Sequence, residues 1–142
     1  MRLNLWKAVG AAFVVGLVLH YVIYDVVLAR YVDVEPSLRA IGDGPWPKLV
    51  AAYLLYGWAF AWLYSHGVHA GRSWVVQGLR FGLVMGLVVH VAGGLMVATH
   101  LVHEGEAVIV GAIALGVVMD VVLGLTVAAL SGPASLGSAA PA

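Results

Sequence analysis

Four long apolar stretches alternate with short polar ones along this chain, at about 6–29, 48–65, 74–99 and 107–130. A membrane-crossing helix needs about 20 mainly apolar residues. The segments between the stretches carry the breakers. Asp43-Gly-Pro-Trp-Pro47 cannot continue a helix, because proline lacks an N–H and restricts the residue before it. Gly67, Gly71 and Arg72 mark the second connection, and His100-Leu-Val-His103-Glu-Gly-Glu106 marks the third. Short connections make consecutive helices antiparallel neighbours. The pattern predicts an all-α fold: an integral membrane four-helix bundle over residues 1–130, then a small polar tail at 131–142.

A second pattern has a step of four. Ala8, Ala12, Gly16, His20 and Tyr24 form one ladder. Gly78, Gly82, Gly86, His90, Gly94 and Ala98 form another. Ala112, Gly116, Asp120, Gly124 and Ala128 form a third. Four-residue steps stay near one helix face. Small residues on that face let helices approach closely in lipid. Gly16, Gly78, Gly82, Gly86, Gly94, Gly116 and Gly124 are therefore the expected packing positions, and His20, His90 and Asp120 the polar points among them. Tyr53, Gly57, Ala61 and Ser65 form a further face on the second stretch, free for a partner helix. Gly16-Leu-Val-Leu-His20 matches Gly86-Leu-Val-Val-His90 at an offset of 70. A tandem repeat of two helical hairpins accounts for that match, and so does chance in so Val/Leu/Gly-rich a chain.

Composition supports the membrane reading. The chain has 142 residues, 63% apolar and 10% charged, with a mean hydropathy of +1.00. A soluble domain carries about 25% charged residues. The absence of cysteine excludes disulfides, thiolate catalysis and cysteine-ligated metal centres. Seven basic side chains balance seven acidic ones without a basic cluster, so nothing points to nucleic acid. Met-Arg-Leu-Asn-Leu-Trp-Lys followed by an apolar run reads as a retained signal anchor that forms the first helix. Arg2, Lys7, Arg72 and Arg80 against Arg30, Arg39 and Lys48 favour both termini in the cytoplasm.

Three constellations could carry chemistry. His20 and His90 lie about 20 Å and 24 Å from the inner ends of their helices, at similar depth. They could hold a b-type haem or another tetrapyrrole, such as a chlorophyll-like ring. The structural alternative is that each neutral imidazole hydrogen-bonds across a helix interface, for about 0.6–2 kcal/mol. Arg80 and Asp120, about 9 Å and 15 Å in, suit an intramembrane ion pair that fixes helix docking, or a proton or ion path. His100, His103, Glu104 and Glu106, joined by Asp25 and Asp33, have donors for a metal, although such interfacial groups are commonly just solvated. His66 and His69 are a weaker pair. No nucleophile–base arrangement stands out, which disfavours an enzyme.

Leu63-Tyr64-Ser65-x-Gly67, followed by Gly78-Leu79-Arg80-Phe81-Gly82-Leu83, resembles small four-span bacterial membrane proteins of the domain-of-unknown-function type. The resemblance covers about half the chain. It implies four spans and a bacterial plasma membrane, and no chemistry. These features favour an accessory subunit of a larger membrane complex, or a self-associating bundle, with lipid and other transmembrane helices as partners. A tetrapyrrole-binding redox or pigment protein ranks second. A small proton- or ion-coupled transporter using Asp120 and Arg80 ranks third.

Overall fold

A computed structural model describes residues 2–30, 46–67, 73–98 and 106–131. All four segments are helical. Helix α1 spans Arg2–His20 and runs on through a π-helical segment, Tyr21–Val27, and a 3-10 turn, Leu28–Arg30. Helix α2 spans Trp46–Gly67. Helix α3 spans Trp74–Gly86 and continues through a π-helical segment, Leu87–Ala92, into Gly93–Ala98. Helix α4 spans Glu106–Ser131.

Local sequence explains the clearest boundary. Ser73 caps α3, its hydroxyl accepting from the Val76 N–H at 3.3 Å. Serine at this position takes up an amide that the helix itself leaves unbonded.

Three helices are long and apolar enough to cross a membrane: Leu5–Val27, Trp74–Met96 and Ile109–Ser131. Helix α2 is long enough, about 33 Å at 1.5 Å per residue. Its tyrosines, tryptophans and glycine make it less apolar. Val14, Leu55, Val84, Val88 and Val110 point outward, each more than half exposed. An apolar exterior of this kind suits lipid and not water.

Two packings set the interior. Glycines of α3 press on α4. A Cβ at Gly78 would lie 2.8 Å from Ala128 Cβ, at Gly82 2.6 Å from Val121 Cα, at Gly86 2.9 Å from Val117 Cα, and at Gly94 2.6 Å from Ile113 Cγ1. On the α4 side, Gly124 gives the same room to Gly78 and Gly82, and Gly116 to the His90 ring. Helix α1 packs against α2 and α4. Here Gly57 lies against Phe13 and Val9, and Gly16 against the Tyr53 ring. Gly57 and Ala61 are buried. The small-residue face expected to be free for a partner is therefore covered by α1 at Tyr53 and Gly57, and exposed at Ser65. Phe81 links α3 to α2, with its ring 4.9 Å from Phe60 and 5.4 Å from Tyr64.

Candidate functional site

Asp120 is the one buried charged residue among the described residues, with no exposed surface. It sits on α4 one turn from both Gly116 and Gly124, so the face that meets α3 also carries the carboxylate. Tyr56 Oη donates to Asp120 Oδ1 at 2.7 Å. His90 Nε2 lies 3.6 Å from Asp120 Oδ2. That is within ion-pair reach and beyond a hydrogen bond. Both Oδ2 and Nε2 are buried without a hydrogen-bond partner.

A second polar group adjoins the first. Tyr53 Oη and His20 Nδ1 lie 2.8 Å apart. The His20 ring packs on Tyr24 at 4.6 Å and meets Tyr53 edge-on at 5.3 Å. Tyr53 and Tyr56 are three residues apart on α2, which puts them on one face, and their rings lie 6.4 Å apart. Between them and α3 is a partly open cleft of about 240 Å³, lined by Ala52, Tyr53, Tyr56, Val89 and His90. Asp25 lies in the π-helical segment beyond His20, with Oδ2 buried and unpartnered.

His20 and His90 each border or occupy a π-helical segment. His20 is the residue before one, and His90 lies inside the other. Such turns are rare and collect at functional sites.

The expected pairs are rearranged. Arg80 does not meet Asp120. It is exposed, and it lies two residues from both Gly78 and Gly82. Two residues are about 200° round a helix, so glycines facing α4 turn Arg80 away. His90 takes the place expected for it. Arg80→Gln should therefore change stability by less than about 0.5 kcal/mol, read from denaturant titration in micelles.

His20 and His90 are not offered to one ring plane either. His20 Nδ1 is engaged by Tyr53. His90 turns Nε2 to Asp120, and its Nδ1 sits where a Cβ on Gly116 would be. The cleft that His90 helps line is smaller than the roughly 300–1,000 Å³ of ordinary ligand pockets. These residues, as packed, do not fit a bis-histidine tetrapyrrole.

His66 is exposed, its Nδ1 2.8 Å from the Trp62 carbonyl. Asp33, His69, His100, His103 and Glu104 lie outside the described residues, as does the side chain of Glu106. Among the described residues, no three His, Asp or Glu side chains come together to hold a metal.

Tyr56 is a site residue that the sequence pattern did not single out, and Tyr53 entered it only as part of a packing face. The available signal was two hydroxyls at i, i+3 within an apolar helix, since a buried tyrosine O–H needs a partner. No protein-family model, curated protein or solved structure matches this chain. The described residues define a helical protein with three helices long and apolar enough to cross a membrane, and a buried aspartate beside part-buried histidines and tyrosines.

Proposed function

We propose that this protein is an integral membrane four-helix bundle that takes up and releases a proton at the Asp120–His90 pair inside the bilayer. The observation that carries this reading is Asp120 itself. A fully buried carboxylate stands near the middle of an apolar helix, 3.6 Å from an imidazole to which it is not hydrogen-bonded. An ionised carboxylate alone in an apolar interior is so costly that it neutralises. Here a proton can sit on Asp120 or on His90, giving two neutralised arrangements close together. Intramembrane Asp and His groups of this kind mark proton relays.

The opposed numbering of contacts supports antiparallel neighbours. Gly78 meets Ala128 while Gly94 meets Ile113, and Val9 meets Gly57 while Gly16 meets Tyr53. The charge bias supports both termini in the cytoplasm, and the resemblance supports a bacterial plasma membrane. The interaction-subunit reading drew on a free small-residue face, and Gly57 and Ala61 are not free.

Proton counting tests the proposal. Unbuffered protein in micelles is stepped from alkaline to acid pH with an indicator dye. Wild type should take up one more proton per chain than Asp120→Asn. Equal uptake by the two overturns the proposal.

A further inference from the structure

We infer that protons reach Asp120 from one face of the membrane only, by a relay of His20, Tyr53 and Tyr56 around a hydrated cleft. This rests on the proton-binding role of Asp120.

The two halves of the interior differ. Asp120 lies about 21 Å from the Glu106 end of α4 and about 17 Å from the Ser131 end, taking 1.5 Å per residue. Towards the first end stand Asp25, His20, Tyr24 and Tyr53, with the cleft beside them, and Tyr56 sits at the boundary, its hydroxyl on Asp120 and its ring 5.7 Å from Phe60. Towards the second end the core is Ala8, Phe60, Leu123, Val127 and Ala128, none with measurable exposure. Polar side chains on this side include half-buried Gln77 on α3, Tyr64, whose ring packs on Phe81, and Thr126, whose hydroxyl donates to the Val122 carbonyl. A close-packed apolar layer holds no water to pass a proton.

The polar half has the parts of a relay. His20 Nδ1 and Tyr53 Oη are within hydrogen-bond distance, as are Tyr56 Oη and Asp120 Oδ1. The missing link lies between the two tyrosines. A cleft of about 240 Å³ is lined by both. Water takes about 30 Å³ in the liquid, and needs polar partners to stay. The tyrosine hydroxyls are such partners.

Inward transfer conserves every proton. Protonated His20 gives its Nδ1 proton to Tyr53 Oη, as Tyr53 releases its own to a cleft water. The water gives one to Tyr56 Oη, as Tyr56 gives its own to Asp120 Oδ1. Only O–H and N–H bonds form and break, and one positive charge moves in to meet the carboxylate. Asp25, in the π-helical segment beyond His20 and about 8 Å from Arg30, stands at the entrance. His90 faces Asp120 from α3, its Nε2 buried 3.6 Å from Oδ2.

Stopped-flow pH jumps on the full chain test the relay, with proton uptake read by dye. Tyr53→Phe keeps the ring and removes the hydroxyl. It should slow uptake at Asp120 about tenfold or more and leave the final proton count unchanged. His20→Gln should also slow uptake at Asp120 and leave the Asp120-dependent proton in place, the total count falling only by what His20 itself binds, which a change in packing alone would not produce. Unchanged rates in both, with the Asp120-dependent proton still counted, overturn the relay and leave the proton-binding role standing. Loss of that proton in wild type overturns the role itself. In vesicles holding the chain in one orientation, a pH step on the Arg30 side should drive uptake. A fast response to a step on the Lys7 side overturns single-sided access.

Discussion

Gly82→Leu should separate α3 from α4 and lower the unfolding free energy by about 3 kcal/mol. The first side-chain atom alone would lie 2.6 Å from Val121 Cα and press on the Asp120 carbonyl. Both are backbone, so neither can swing aside. The opposing helix must move as a body, and interiors packed this closely do not absorb such shifts. The same movement draws Asp120 away from Tyr56. Gly93 and Gly111 are matched controls, since a Cβ at either meets nothing within 4 Å. Gly93→Ala and Gly111→Ala should be neutral or slightly stabilising, because alanine favours a helix over glycine by up to about 1 kcal/mol. Denaturant titration of the three variants in micelles, followed by circular dichroism, reads the difference. Equal stability of Gly82→Leu and wild type would contradict the packing described here.

Asp120→Ala should cost about 2–3 kcal/mol, because it strands the buried Tyr56 hydroxyl without its acceptor. The double variant Asp120→Ala/Tyr56→Phe removes donor and acceptor together. It should be more stable than the sum of the single losses implies, by about 1–2 kcal/mol. Asp120→Asn keeps an acceptor at Oδ1 and should cost less than alanine. Additive losses in the double-mutant cycle would show that the 2.7 Å contact between Tyr56 and Asp120 contributes little.

Much of the fold could be read from hydrophobicity alone. The runs at 6–29, 48–65, 74–99 and 107–130 anticipate Arg2–Arg30, Trp46–Gly67, Trp74–Ala98 and Glu106–Ser131 to within a few residues. The ladders drew attention to His20, His90 and Asp120, all of which stand in the polar cluster. The pairing was misread for a geometric reason. Rise per residue gives depth along a helix, and depth alone matched Arg80 to Asp120. Direction round the helix excludes that match, and the positions of Gly78 and Gly82 already encoded it. The similar depth expected of His20 and His90 does not make them a pair. Tyr53, from a third helix, binds the first of them and lines the cleft beside the second. The π-helical segments were not legible, since no residue type or spacing in these apolar runs marks an i−5 ladder. The tyrosines were legible only as an unanswered question about where two buried hydroxyls go.

Infrared difference spectroscopy of the protein in lipid vesicles bears most directly on the proton held at Asp120. On acidification, wild type should gain the carbonyl stretch of one protonated carboxylic acid in an apolar setting. Asp120→Asn should lack that band, while Asp25→Asn should retain it. A wild-type spectrum with no such band at any pH, or a band that survives in Asp120→Asn, would contradict a proton held on Asp120 itself.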